Sequence, residues 1–115
     1  MGKEIETLNT SIEYINNIKK SAKEISDKIN SGEENNGIKL IYFIVDEFQL
    51  LIKLIEITKN FHKGKITIGN TNSILSEIIE AMENEDYVLV GDLFEYEFIP
   101  VLEEIQNEIK NFIAE

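Results

Sequence analysis

Apolar residues recur every three or four positions along most of this chain, and that spacing leaves little room for anything but helices. In the first segment they fall at Ile5, Leu8, Ile12, Ile15, Ile18, Ala22, Ile25 and Ile29, a narrow seam with one skipped residue between Ile15 and Ile18. The pattern predicts a long outer helix over about residues 3–30. Ser31-Gly32-Glu33-Glu34-Asn35-Asn36-Gly37 reads as the turn that ends it. A second helix is expected over about residues 38–61, with two apolar stripes side by side. Ile41, Ile44, Phe48, Leu51 and Ile55 make one; Phe43, Leu50, Leu54, Ile57 and Phe61 make the other. A helix apolar over so wide an arc needs more than one neighbour, which marks it as the expected central helix. If the chain's own helices leave part of that arc bare, a second copy would cover it, so a homodimer is an expectation.

Residues 62–72 lack helical spacing. The alternation Lys65-Ile66-Thr67-Ile68 suits an extended segment laying two isoleucines on the core, and a lone strand has no partner for a sheet. Asn70, Thr71, Asn72 and Ser73 offer capping oxygens for a short third helix over about 73–83. A fourth helix is expected over about 86–113, with Leu102, Ile105, Ile109 and Phe112 as its seam. Pro100 lies inside it and should kink it, a split into two helices at that point being the alternative. The expected fold is all-α, one domain over residues 1–115. It is a four-helix up-down bundle with long helices 1, 2 and 4, a short helix 3, and helix 4 kinked near Pro100.

Charge is distributed very unevenly. No basic residue lies between Lys65 and Lys110, a stretch that holds eleven acids, whereas residues 1–65 balance ten lysines against ten acids. The net charge of −11 therefore belongs to one contiguous stretch. All eleven basic residues are lysine, and the absence of arginine removes the usual bidentate grip on phosphate or guanine. Nucleic acid is not an expected partner. The absence of cysteine excludes disulfides, thiolate metal sites and a cysteine nucleophile. The most apolar stretch, Ile38–Ile57, is interrupted by Asp46, Glu47, Gln49, Lys53 and Glu56, so no membrane span is expected. The N-terminal residues lead straight into an amphipathic pattern, not an apolar signal segment, which points to the cytoplasm.

The acidic stretch reads as a docking surface for a basic or amphipathic protein segment. Glu77, Glu80, Glu83, Glu104 and Glu108 are the candidate contacts. Several of these acids repeat at helical-neighbour spacing, each like-charged pair destabilising by about 0.2–0.5 kcal/mol, with no intrahelical lysine to offset it. A solvated, solubilising face is the blander reading. A second cluster is expected inside the bundle. Extending the seam of the fourth helix backward from Leu102 passes Ile99, Glu95, Asp92 and Val88, and Glu47 lies between Phe43 and Leu50 on the second helix. Glu47, Asp92, Glu95 and Tyr96 form this candidate buried polar cluster. Opposed carboxylates in a bundle can hold a metal or a small molecule, or serve as general acid or base. The metal pattern, however, also needs Glu-x-x-His on two helices, and the one histidine, His62, sits at a loop edge. Hydrogen bonding of these acids to tyrosines is the stronger reading, and no metal or cofactor is expected. His62, beside Lys63 and Lys65, reads as a solvated helix terminus. A non-enzymatic adaptor, chaperone or regulatory subunit is the expected class. The carboxylate site is the alternative.

The string from Ile78 to Pro100, IIEAMENEDYVLVGDLFEYEFIP, resembles a motif of small uncharacterised helical proteins of low-GC Gram-positive bacteria, approximately EAxENxDYVLLADLLEYELxPLLE. Val90 and Gly91 stand where that motif has Leu and Ala. The resemblance covers about a quarter of the chain. It implies no activity, substrate or cofactor. It does imply that Asp86, Tyr87, Asp92, Glu95, Tyr96 and Pro100 belong to one unit.

Overall fold

A computed structural model describes residues 2–115, and over these residues the chain is all-helical, with no strand. The elements are α1 (Gly2–Asn30), α2 (Glu34–Ile57), a single turn α3 (Lys59–His62), α4 (Thr71–Glu83), α5 (Tyr87–Leu93) and α6 (Ile99–Ala114), with a five-residue π turn, Phe94–Phe98, joining α5 to α6. The molecule is elongated, 47 × 20 × 19 Å, a length set by α1.

The connection between α1 and α2 is shorter than the glycines and asparagines implied. Gly32, at φ +84°, occupies the left-handed position after the helix, and Glu33 N donates to Lys28 O at 2.7 Å, closing the end of α1 within three residues. Gly37 is not in the turn. It is buried inside α2, and a Cβ there would meet Ile29 Cγ1 at 3.3 Å. Its role is to let two helices approach closely.

The central helix is α1, not α2: α2, α5, the π turn and α6 all pack on it. The reason lies in small side chains. The buried line of α1 is Leu8, Ser11, Ile15, Ile18, Ala22, Ile25 and Ile29, with Ser26 beside it. Substituting buried Ser11 for half-buried Ile12 removes the skipped residue and gives an unbroken 3-4 repeat. Ser11 needs no distant partner, because its hydroxyl donates to Thr7 O at 3.0 Å. Short side chains at Ser11, Ala22 and Ser26 admit several neighbours at once, which a wall of isoleucine would hold off. The first stripe of α2 is buried as expected, whereas Phe43 and Leu50 of the second stripe are each 47% exposed and Ile57 is 67% exposed.

The helix containing Pro100 is interrupted by a wide turn just before the proline. Phe94, Phe98 and Leu102 are fully buried and four residues apart, a spacing that drifts around an ordinary helix but stays in line where one turn is widened. Phe98 packs edge-on against both Phe48 of α2 and Phe94, at 5.7 Å in each case. The π turn also restarts the helix at Ile99, so that Pro100 falls in the first turn of α6, where its missing N–H has no partner to lose. The segment between α3 and α4 behaves as the alternation implied: Ile66 is buried and Ile68 half-buried against the core.

Candidate functional site

The hairpin of α4 and α5 encloses a groove of about 280 Å³ lined by Glu77, Glu80, Ala81, Asn84, Asp86, Leu89 and Leu93. Glu77 and Glu80 lie on α4, one turn apart. Asp86 caps α5, its Oδ1 accepting from Leu89 N at 3.3 Å. Ala81 and Leu93 are buried and make an apolar floor, while Leu89 stands exposed at the rim. Among the described residues no basic side chain lines the groove. It offers apolar contact inside an acidic border.

The structure divides the other acidic candidates. Glu83 is exposed at the end of α4 and Glu104 is exposed on α6. Glu108 is committed elsewhere: its Oε2 accepts from Thr67 N at 3.0 Å and ties α6 to the segment before α4. Of the five, Glu77 and Glu80 share the groove.

The expected buried cluster does not form. Asp92, Glu95 and Tyr96 are exposed, Tyr96 by 68%, and Glu47 is half-buried on α2. The π turn is the cause. It inserts one residue into the backward count from Leu102, so the core line passes Phe98, Phe94 and Val90 in place of Ile99, Glu95 and Asp92. One inserted residue turns a helix by about 100°, enough to move a carboxylate from core to solvent. Glu95 instead lines a cavity of about 300 Å³ with Lys23, Ser26, Asp27 and Asn30 of α1. Among the described residues no three His, Cys, Asp or Glu side chains are grouped so as to hold a metal ion.

Of the six buried polar residues among those described, His62 and Gln106 carry hydrogen bonds between elements through their side chains. His62 is 1% exposed, not solvated. Ile66 N donates to its Nδ1 at 3.3 Å, so Nδ1 carries no hydrogen, and the proton on Nε2 is donated to Ile55 O at 3.0 Å. The neutral ring thereby fastens α3 to the end of α2 and to the following segment. Gln106 links α6 to α1, donating to Asn16 Oδ1 at 2.8 Å and Ile12 O at 3.4 Å and accepting from Lys19 Nζ at 3.3 Å. Both were reachable from spacing: Gln106 lies four after Leu102 and three before Ile109, and His62 continues the 3-4 repeat of Ile55 and Thr58. Both groups are fully engaged in holding elements together, which gives them structural work and no free atom for chemistry.

The fold and its surface thus define an all-helical domain with an acidic, apolar-floored groove on one hairpin. No helix among the described residues is long and apolar enough to cross a membrane. The chain belongs to a family described as a domain of unknown function (DUF8042), whose model matches residues 6–108. The match takes in α2 to α5, the π turn, the groove and most of α1 and α6. No curated protein and no solved structure matches the chain.

Proposed function

We propose that this chain is a non-enzymatic interaction module that receives a basic, amphipathic partner segment in the groove between α4 and α5. The observation that carries this reading is the combination at one place of an apolar floor, Ala81 and Leu93, with a border of Glu77, Glu80 and Asp86 and no cation among the lining residues. An amphipathic helix presents complementary faces to such a groove, apolar residues downward and lysines outward. Acids of one sign held close together are mutually destabilising, and a cationic partner would relieve them.

The test is capture from native lysate at low and high salt, comparing wild type with Glu77→Lys/Glu80→Lys and with Glu104→Lys. A basic protein held by wild type and by Glu104→Lys, lost from the double variant and released by salt, is the expected result. Equal capture by all three, or no salt-dependent capture, would reduce the groove to a solubilising feature. Self-association is a second reading, favoured by the exposed Phe43, Leu50 and Ile57 on α2. The carboxylate metal or small-molecule reading has less support, because Asp92 and Glu95 face solvent.

A further inference from the structure

The region from α2 through α3 carries two 3-4 repeats, not one. Gly37, Ile41, Ile44, Phe48, Leu51 and Ile55 form the first, which is buried, and α1 packs along it. The second is displaced by one residue: Leu40, Phe43, Glu47, Leu50, Leu54 and Ile57, again spaced 3, 4, 3, 4, 3. A strict seven-residue repeat is the pattern by which one helix receives another along its length. Here the first seam is fully covered, whereas the second is covered on one side only: Leu40, Glu47 and Leu54 are half-buried, and Phe43, Leu50 and Ile57 remain about half to two-thirds exposed.

Resting on the self-association reading, we infer that this second seam binds the same seam of a second copy, antiparallel, with Glu47 of each copy set against Leu50 of the other. Charge selects the arrangement. In a parallel pair identical positions meet, so Glu47 would face Glu47 inside the contact. Antiparallel pairing avoids this. With Glu47 opposite Leu50, the other layers become Phe43 against Leu54 and Leu40 against Ile57, all apolar. The flanking positions then place Asp46 of each copy beside Lys53 of the other, twice by symmetry. Sliding by one heptad brings Lys53 against Lys53 instead. The edge is also suited to a like partner, because Lys39 and Lys53 balance Asp46 and Glu47, while the excess acid lies on residues 77–108.

The seam from Leu40 to Ile57 spans about 26 Å. Its exposed side chains offer about 300–400 Å² of apolar surface per copy, against about 800 Å² per partner in a standard stable complex. The pair is therefore a reversible dimer, concentration-dependent in the micromolar range, and not an obligate one.

Sedimentation equilibrium over about 5–500 μM tests it. Wild type should move from monomer to dimer across that range. Leu50→Glu should stay monomeric with an unchanged circular dichroism spectrum and unfolding midpoint. Asp46→Lys and Lys53→Asp should each weaken the dimer by about tenfold, and the double variant Asp46→Lys/Lys53→Asp should return to within about threefold of wild type. A monomer at the highest concentration would overturn both the dimer and its register. A dimer indifferent to Leu50→Glu would place the contact elsewhere. Loss in Leu50→Glu without rescue by the double swap would overturn the register and leave self-association standing.

Discussion

Replacing His62 by phenylalanine removes two hydrogen bonds while keeping a ring of similar size in the site. The two bonds are not equal. Ile55 O also accepts from Thr58 Oγ1 at 3.0 Å, so its carbonyl keeps a partner. Ile66 N is left without the Nδ1 acceptor that it now has, in a residue only 3% exposed. An orphaned buried donor is worth about 1–3 kcal/mol, so His62→Phe should destabilise by about 2 kcal/mol. His62→Ala also removes the ring that packs edge-on against Phe112, with centroids 6.2 Å apart. Adding a partly collapsed cavity brings the expected loss to about 4 kcal/mol. For a domain of this size each kcal/mol lowers the melting temperature by about 4 °C, giving falls of about 8 °C and about 16 °C. Urea unfolding with an unchanged slope would supply the free energies, and hydrogen exchange would show the Ile66 amide losing protection first. Changes below about 0.5 kcal/mol in both variants, the value for a solvated helix terminus, would refute the buried assignment. A large effect of alanine with none from phenylalanine would show that volume, not hydrogen bonding, holds the site.

Gly91→Ala should stabilise the chain by about 0.5–1 kcal/mol in chemical denaturation, since Gly91 lies inside α5 and its new Cβ would meet Ser26 Oγ at an ordinary 3.6 Å. A loss of stability would mean that α1 and α5 pack more tightly than described. Deleting exposed Glu97 should convert the π turn into ordinary helix without moving Phe94 relative to Leu102, and cooperative unfolding should survive. Deleting Glu104, which lies in ordinary helix, should rotate the rest of α6 by about 100° and abolish it. Equal damage from the two deletions would argue that the π turn is not the absorbing element.

The helical character of the chain was legible because the spacing of apolar side chains records it directly, and α1, α2 and α4 begin and end within a few residues of where the pattern places them. What the spacing left hidden was which side of each helix meets which neighbour. In α1 the misleading residue is Ile12, more apolar than Ser11 but turned partly outward, because at that position a small side chain with its hydroxyl bonded back to Thr7 O lets backbones close up. The same preference for fit over hydrophobicity puts Gly37 and His62 on the inner line of α2 and α3, and Gln106 on that of α6. The candidate carboxylate cluster failed for one definite reason, a single inserted residue between Asp92 and Leu102. Such a residue is hard to read in advance, because a π turn is defined by hydrogen bonding and not by composition. Phe94, Phe98 and Leu102 do carry the trace of it, in two successive steps of four. An ordinary helix turns that line by about 40° per step, about 80° in all, which its buried face also spans, so the spacing agrees with the widened turn without demanding it. The acids are where the widened turn puts them, in solvent, and the groove between α4 and α5 is where Glu77, Glu80 and Asp86 meet apolar surface with no cation among the described lining residues.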